Sequence, residues 1–250
     1  MTPAAIAVAA RLLSAARRSA PQLDALPESC RPATLDDAHA IQEAAAAQLG
    51  ETISGWKVGA TPEGRVARGA LLRSRIYPSG AVVPAASMPL LGVEAEIAFR
   101  LDRDLPARDT DYAYAEVASA VTALPGIEVV DSRFRGYPKA PLLDRIADFM
   151  SNGAFICGAP QPRWREIDLE ALDAQLSIDG QTLVHRAGGH PATDPLLPAL
   201  ALVNDLRTRS GVRAGQILTT GTYTGLNFAK AGQTVAAAFA GFDPVRVKFE

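Results

Sequence analysis

The stretch Leu91-Gly-Val-Glu-Ala-Glu-Ile-Ala-Phe99 places two carboxylates two residues apart in an otherwise apolar run. The run predicts a β-strand, in which successive side chains alternate between the two faces. Glu94 and Glu96 therefore point to the same face. Two like charges there are unfavourable unless they are solvated, share a proton or hold a cation. The third alternative would make this strand part of a metal site.

A third carboxylate lies in a later apolar run, Ile127-Glu-Val-Val-Asp131. Glu128 in this predicted strand needs a partner if it is buried. Together with Glu94 and Glu96 it would complete three carboxylate ligands, an oxygen-rich set that suits Mg²⁺ or Mn²⁺ better than zinc. Because periodicity alone does not distinguish a cation from solvent, the alternatives stay open at this point.

The composition indicates a globular chain that binds a small molecule. Its 250 residues, 48% of them hydrophobic, suffice for one large domain or one domain with a small appendage. The 25 basic and 27 acidic residues form no long block of one sign, which argues against a nucleic-acid or anionic-membrane partner. Cys30 and Cys157 make neither a disulfide framework nor a zinc site. Without a secretory signal or a membrane-spanning run, the chain is predicted to be cytoplasmic.

Two helices are predicted in residues 1–50, which we assign as an N-terminal helical section. Apolar residues at helical spacing predict the first helix over residues 3–20. The second follows Thr34-Leu-Asp-Asp37, which resembles a capping box with Asp in place of Glu, and continues over residues 38–49 until Gly50. Residues 51–250 are assigned to a catalytic domain.

From residue 52 the pattern changes to short apolar runs separated by Gly and Pro, which is typical of a largely β domain. Residues 69–80 are predicted to form a loop, and Asp179-Gly180 predicts a type I′ hairpin turn. Strands are predicted at residues 53–60, 81–83, 91–99, 127–131, 154–157, 174–178, 182–185, 216–220, 234–239 and 245–249.

Helices interrupt this β pattern. One is predicted over residues 112–124, where Ala, Glu and Val recur without turn residues until Pro125 and Gly126. A short helical segment is predicted at residues 144–149, and another helix at residues 195–210, ended by Gly211.

Lys57 lies in the first predicted strand, Ile53-Ser-Gly-Trp-Lys-Val-Gly-Ala60. Gly55 and Gly59 on either side would let a ligand approach the backbone. Burial there would lower the pKa of the lysine toward a range useful for acid–base catalysis. The alternative is a lysine whose amine extends from a strand edge into water.

A polar glycine loop, Thr219-Thr-Gly-Thr-Tyr-Thr-Gly225, follows one of the last predicted strands. Its hydroxyls and backbone N–H groups would suit an anion. It lacks both the strand-to-helix setting and the lysine of a phosphate-binding loop. As a lone motif it is more typical of a plain turn.

Taken in order, the motifs resemble the fumarylacetoacetate hydrolase superfamily, most closely its 2-keto-4-pentenoate hydratase and 4-oxalocrotonate decarboxylase branch. The resemblance covers nearly the whole chain. The motifs that carry it are Thr34-Leu-Asp-Asp-Ala-His-Ala-Ile-Gln42, Gly55-Trp-Lys-Val-Gly59, Val93-Glu-Ala-Glu-Ile-Ala-Phe99, Ile127-Glu-Val-Val-Asp-Ser-Arg133 and Thr220-Gly-Thr222.

The resemblance implies an α+β fold, a mixed β-roll behind an N-terminal helical section. It implies that Glu94, Glu96 and Glu128 are ligands of a divalent metal, Mg²⁺ or Mn²⁺. Lys57 matches the active-site lysine of the family. Thr222 matches the hydroxyl residue of its substrate-binding glycine loop, and Gly59 is expected to line the substrate site.

The function that the resemblance implies is a metal-dependent hydratase acting on a small 2-oxo or 2-hydroxy carboxylate. Such an enzyme adds water to a 2-hydroxy-2,4-dienoate and forms a 4-hydroxy-2-oxo acid in aromatic catabolism. A 2-oxo acid decarboxylase and a C–C bond hydrolase of the same superfamily are alternatives, and a non-catalytic ligand-binding or scaffold member is a third. A homo-oligomer is expected.

Three positions depart from the branch. Arg73 follows the Gly-Ala-Leu-Leu motif where acidic residues are usual, and would bind a second substrate carboxylate if it reached the pocket. Phe149 stands where the branch carries asparagine. His190 lies in Gly189-His-Pro191, where the branch has Gly-Asn-Pro, and is expected to line the substrate site.

Overall fold

A computed structural model of the protein describes residues 1–19 and 21–250. The helices are α1 (Pro3–Arg18), α2 (Leu35–Leu49), α3 (Tyr114–Ala118), α4 (Leu142–Ala147) and α5 (Leu196–Leu206). The strands are β1 (Ile53–Ala60), β2 (Val66–Leu72), β3 (Ile76–Pro78), β4 (Ala81–Val83), β5 (Gly92–Leu101), β6 (Val121–Val130), β7 (Asn152–Cys157), β8 (Asp173–Ile178), β9 (Gln181–Ala187), β10 (Ile217–Thr222), β11 (Asn227–Phe228), β12 (Thr234–Phe239) and β13 (Val245–Phe249).

The strands form two sheets, and the acidic strand lies inside the larger one. Its order is β2-β1-β10-β5-β6-β7-β3, with β11 also paired to β5. The β1–β10 and β3–β7 pairs are parallel, and the other pairs are antiparallel. The smaller sheet has the order β4-β13-β12-β8-β9. The α+β class predicted for this chain agrees with this mixture.

The apolar face of β5 packs into the main core, which residues of both sheets build. Val93 and Ile97 are buried there, in the same cluster as Val235 of the smaller sheet. Because side chains alternate along a strand, Glu94 and Glu96 point to the opposite face. This arrangement separates the carboxylates from the core and collects them on one side of the larger sheet.

The two predicted N-terminal helices are present, and each begins at a capping residue. The Thr2 hydroxyl accepts the N–H of Ala5 at the start of α1. Thr34 and Asp37 make the reciprocal bonds of a capping box at the start of α2. Gly50 ends that helix with φ +70°. The predicted end of the first helix, Ala20, lies outside the described residues.

These helices share a second apolar cluster with the segment between β6 and β7. Leu13 of α1 and Ile41 of α2 pack there with Phe134 and Ile146. None of the described helices is long and apolar enough to cross a membrane.

The predicted helix over residues 112–124 is wrong for most of its length. Only Tyr114–Ala118 is helical, and β6 begins at Val121 and runs through Pro125 and Gly126. All ten residues of β6 pair with β5, and this pairing outweighs the local helical preference of the alanines. Pro125 fits because the pairing of β6 with β7 begins only at Gly126, so no ladder hydrogen bond is lost on that side.

Gly126 has a packing role at this strand. A Cβ there would lie 2.1 Å from Cζ of Phe155, so the absence of a side chain admits the aromatic ring. The glycine that suggested a helix end in the sequence therefore serves close packing within the sheet.

The remaining elements follow the predictions with shifted ends. Residues 69–80 contain part of β2 and all of β3 rather than a loop. The hairpin turn is confirmed, because Asp179 and Gly180 have φ of +51° and +79°, as a type I′ turn requires. Helix α5 ends at Leu206, whose carbonyl accepts the N–H of Gly211.

Candidate metal centre and active site

Three carboxylates meet where β5 and β6 pair. Glu94 lies directly opposite Glu128 in the antiparallel register, and Glu96 lies two residues along β5 on the same face. One oxygen from each of the three residues lies within 4.8 Å of the other two. Glu96 and Glu128 are buried, and Glu94 is partly buried. The cluster, which we call the acidic triad, brings together the three carboxylates that the family resemblance implies as metal ligands.

The triad is electrostatically unfavourable without a counter-charge. Burial raises the pKa of Glu94, and the Glu128 carboxylate adds to this effect while Lys57 opposes it. Burial raises the pKa of Glu96 further above its usual range, with added contributions from Glu128 and Glu94. Because each carboxylate makes ionisation of its neighbours more costly, a bound cation would stabilise the ionised cluster.

One carboxylate oxygen of Glu128 accepts two hydrogen bonds, and the other accepts none. Its Oε1 accepts from Lys57 Nζ at 2.8 Å and from Asn152 Nδ2 at 3.1 Å. Its Oε2 is buried and has no hydrogen-bond partner among the described residues. A buried carboxylate oxygen without a partner is costly. Its position beside two further carboxylates, in an all-oxygen donor set, fits a hard divalent cation.

Lys57 comes from β1 and forms an ion pair with the triad. Its side chain is 16% exposed, whereas that of Glu128 is fully buried. Burial alone would lower the pKa of the ammonium, but the carboxylates of Glu128, Glu94 and Glu96 outweigh it and raise the pKa above its usual value. The expectation that burial lowers this pKa is therefore wrong, because it omitted the three acids.

The glycine loop passes beside Glu96. Thr222 is the register partner of Glu96, and the Gly221 N–H points to Glu96 Oε2 at 3.4 Å. The Thr222 hydroxyl donates to the Ala95 carbonyl at 3.3 Å and accepts the Thr224 N–H at 3.1 Å. The structure thus brings Thr222 next to the triad, and its contact with a substrate stays a prediction.

His190 holds the glycine loop in place through a hydrogen bond to its backbone. Its Nδ1 accepts the Ala192 N–H at 3.2 Å, so Nε2 carries the proton and donates to the Thr220 carbonyl at 3.0 Å. The ring is buried, and burial lowers its pKa. Since both nitrogens are engaged by backbone, the predicted substrate contact of His190 is not supported. The residue positions the loop instead.

Arg73 lies away from the triad, in a short helical turn after β2. It lines a different cavity, together with Thr52, Trp56, Arg213 and Gln216 at the other end of β1 and β10. The predicted role of Arg73 in binding substrate is therefore not supported. Arg73 directly follows the Gly-Ala-Leu-Leu motif in the sequence. That position does not show that the end of β2 lies away from the triad.

Gly59 faces a neighbouring segment of the chain. A Cβ at Gly59 would lie 2.8 Å from Cε of Met150. Phe149, Met150 and Ser151 all have φ between +51° and +59°, a left-handed conformation that costs about 1–2 kcal/mol per non-glycine residue. Gly59 lies against the flexible tip of the Met150 side chain, whereas Gly69 is the glycine that lies against the backbone of this strained segment. The predicted contact of Gly59 with substrate stays a prediction.

Phe149, the departure from the family pattern, points away from the carboxylates. Its ring is buried and carries the Arg17 guanidinium 4.7 Å from its centroid. Arg17 Nη2 donates to the Asn152 carbonyl at 2.7 Å. The N-terminal helix is thereby connected to the residue that holds Glu128.

Three buried charged residues form a network close to the site, and the sequence indicated only part of it. The side chain of Arg133 donates to Asp131 at 3.1 Å and to Asp148 at 2.5 Å, and all three residues are buried. Asp131 and Arg133 lie two residues apart, a spacing at which side chains of an extended segment share one face. Asn152 and Asp148 carried no comparable signal, because they reach their partners only through folding.

A cavity of about 160 Å³ opens beside the triad. Lys57 lines it together with Tyr137, Arg145, Met150 and Ser151. Sequence reasoning missed Tyr137 and Arg145. Both lie in the segment between β6 and β7, which has no strand pattern and no motif to mark it.

The chain is similar to curated hydratases over its full length. It is 35% identical to 2-keto-4-pentenoate hydratase of Paraburkholderia phymatum over 255 residues, which cover 97% of this chain and 96% of the relative. It is also 35% identical to 2-keto-4-pentenoate hydratase of Burkholderia vietnamiensis over 210 residues, which cover 80% of this chain and 79% of the relative. No family model matches the chain.

A solved structure shares the fold. 4-Oxalocrotonate decarboxylase from Pseudomonas putida G7, complexed with magnesium and adipate, superposes with a TM-score of 0.86 over 100% of this chain and 99% of that chain, at 23% sequence identity. This likeness confirms the predicted β-roll fold.

Proposed function

The chain belongs to the fumarylacetoacetate hydrolase superfamily, in its branch of 2-keto-4-pentenoate hydratases and 4-oxalocrotonate decarboxylases, and from this membership we propose that it is a metal-dependent hydratase. Its substrate is a 2-hydroxy-2,4-dienoate of the kind produced in aromatic catabolism, and its product is a 4-hydroxy-2-oxo acid. The observation that carries the proposal is the acidic triad with Lys57 bound to one of its members.

Glu94, Glu96 and Glu128 would hold a divalent cation, Mg²⁺ or Mn²⁺. The bare Oε2 of Glu128 and the all-carboxylate donor set support this assignment. When bound, such a cation supplies Lewis acidity toward the carboxylate and the C2 oxygen of the substrate. Asn152 and Lys57 keep Glu128 in one orientation, because both donate to its Oε1.

Lys57 is assigned to proton transfer. The carboxylates around it keep it charged at neutral pH, so it enters the reaction as a proton donor. During ketonisation of the dienol, a proton reaches C5 while the hydroxyl proton leaves the C2 oxygen. Water then adds at C4 of the resulting unsaturated ketone, so that the overall reaction consumes one water.

The glycine loop is assigned to substrate binding. Its Gly221 N–H and Thr222 hydroxyl lie beside Glu96, at the edge of the triad. Backbone N–H groups and hydroxyls suit a carboxylate. His190 keeps the loop in place through the Thr220 carbonyl.

The direct test follows the ultraviolet absorbance of 2-hydroxy-2,4-pentadienoate with the protein and Mg²⁺ or Mn²⁺. We expect the dienol absorbance to fall, with 4-hydroxy-2-oxopentanoate as product, and to stay constant when the metal is chelated. Unchanged absorbance with metal-loaded protein would contradict the proposal.

Competing functions give different products in the same kind of incubation. Carbon dioxide released from a 2-oxo dicarboxylate would indicate the decarboxylase, and pyruvate released from an acylpyruvate would indicate the C–C hydrolase. Binding of metal and substrate without any product would indicate a non-catalytic member. Cytoplasmic location and homo-oligomeric assembly stay predictions from the sequence.

A further inference from the structure

The cavity beside Lys57 extends the site beyond the acidic triad, since none of the three triad carboxylates lines it. It has a volume of about 160 Å³. This is room for about five water-sized groups, enough for a short alkyl arm with a polar end. Leu142, Ile146 and Met150 contribute apolar walls, and Tyr137 and Arg145 contribute polar groups.

The cavity and the triad belong to one electrostatic environment. Burial raises the pKa of Tyr137, and the charges of Lys57, Glu94 and Arg145 all act on its hydroxyl. Tyr137 lines the cavity together with Lys57 and Arg145. A substrate that contacts Lys57 and continues along the cavity would approach Arg145.

Arg145 is a partly buried arginine that lines this cavity. Its Nε is buried without a hydrogen-bond partner among the described residues, and none of their carboxylates forms an ion pair with its guanidinium. Among the described residues the two fully buried arginines are paired, Arg133 with Asp131 and Asp148 and Arg68 with Asp205, whereas the partly buried Arg17 and Arg145 form no ion pair. Since a buried guanidinium nitrogen without a partner is costly, the cavity suits a ligand that brings a carboxylate to Arg145.

The charges of the site lead to the same conclusion. A divalent cation and Lys57 would together offset the three carboxylates of the acidic triad. Arg145 adds one further positive charge to the lining of the cavity. A second carboxylate on the substrate would use that charge, and guanidinium binds carboxylates through two parallel hydrogen bonds.

We infer that Arg145 is a specificity-determining residue, which binds a second carboxylate at the distal end of a dicarboxylic 2-hydroxydienoate or 2-oxo acid. The inference rests on the proposed function for the identity of the substrate's other end. It replaces Arg73 as the group that recognises a second carboxylate.

The test compares two probes of equal length, 2-oxoadipate and 2-oxohexanoate, which differ only in a terminal carboxylate and a terminal methyl group. Calorimetric titration in the presence of Mg²⁺ measures both affinities. We expect the protein to bind 2-oxoadipate at least about 10-fold more tightly, as for a hydrogen bond between charged groups. Equal affinities in the unmodified protein would overturn the inference without any variant.

Arg145→Gln should abolish the preference, while Arg145→Lys should retain part of it. The matched control is Arg163→Gln, since Arg163 is an exposed arginine that meets Glu166 at 3.8 Å. It should leave both affinities unchanged. A preference that survives in Arg145→Gln would also overturn the inference.

Turnover separates this inference from the proposed function. If the preference for 2-oxoadipate is present but neither a mono- nor a dicarboxylic hydroxydienoate is hydrated, the hydratase proposal fails and the carboxylate site stands. If both dienoates are hydrated with equal kcat/KM and the probes bind equally, the hydratase stands and the role of Arg145 fails.

Discussion

The ammonium nitrogen of Lys57 lies 2.8 Å from Oε1 of Glu128, although β10 and β5 separate their strands in the sheet. Neighbouring strands are about 4.8 Å apart, so a flat sheet would hold β1 and β6 about 14 Å from each other. The larger sheet must therefore curl toward the face that carries the acids. This curl turns three carboxylates and one lysine into a single site.

Replacing Lys57 by Met should lower kcat by about 100-fold to 10,000-fold, because the proton donor is lost. Binding of Mn²⁺ should stay nearly intact, because the three carboxylates remain and Asn152 still donates to Glu128 Oε1. Steady-state kinetics and calorimetric titration with Mn²⁺ measure the two effects. Lys139→Met, at an exposed lysine, is the control. Full activity of Lys57→Met would exclude the residue from the mechanism.

Glu96→Gln should change stability in opposite directions with and without metal. Without metal the neutral amide relieves repulsion within the acidic triad, so the free energy of unfolding should rise. The gain of about 2.7 kcal/mol expected for the unmodified protein at a metal concentration of 100 times Kd should shrink or vanish. Thermal unfolding with and without Mn²⁺ measures both. Glu166→Gln on the surface should behave like the unmodified protein, and a full metal-dependent gain in Glu96→Gln would remove this residue from the ligand set.

Asn152→Ala should weaken metal binding by about 10-fold to 100-fold, because Glu128 Oε1 loses one of its two donors and with it part of its orientation. Asn152→Ser, with a shorter donor, should restore part of the affinity. Calorimetric titration with Mn²⁺ measures the change, and circular dichroism verifies that the fold is intact. Unchanged affinity in a folded Asn152→Ala protein would show that Lys57 alone suffices to orient the carboxylate.

His39 should make the fold sensitive to acid. Burial lowers the pKa of this histidine to about 3, with help from the positive charges of Arg68, Arg209 and Arg65 and against the charge of Asp36. The unfolded chain takes up the proton near pH 6.5, whereas the folded protein does not, so stability falls as the pH drops from about 6.5 toward 3.

At pH 5 this single group should cost about 2 kcal/mol relative to pH 7.5. Urea unfolding of the protein and of His39→Gln at both pH values isolates the effect, because every other titrating group is common to the two proteins. An equal loss of stability in both would show that His39 takes up its proton in the folded state as well.

The local sequence pattern alone was enough to predict several features of the structure. Period-two alternation placed Glu94 and Glu96 on one face, the Thr34–Asp37 spacing predicted the start of α2, and Asp179-Gly180 predicted the hairpin turn. Each of these depends on residues within a few positions of one another. Their geometry is therefore set by backbone conformation and needs no distant partner.

Features that depend on partners far away in the chain could not be predicted from the local sequence. Residues 121–124 look helical in isolation and become strand because β5 pairs with them. The charged state of Lys57 depends on acids that lie 37 to 71 positions away, and these acids raise a pKa that burial alone would lower. Arg145 lines the cavity of Lys57 because α4 packs on α2 and β2, whereas Arg73, which directly follows β2 in the chain, lines a different cavity.

The amino-acid sequence by itself was enough to predict the acidic triad, since alternation along β5 places Glu94 and Glu96 on one face and the ordered motifs add Glu128. The assembled fold determined their surroundings: the curl that brings Lys57 to Glu128, the amide of Asn152, and the unpaired guanidinium of Arg145. The division has a physical cause. Strand periodicity is a short-range property of the backbone, whereas charge pairing and burial are properties of contacts between residues far apart in the chain.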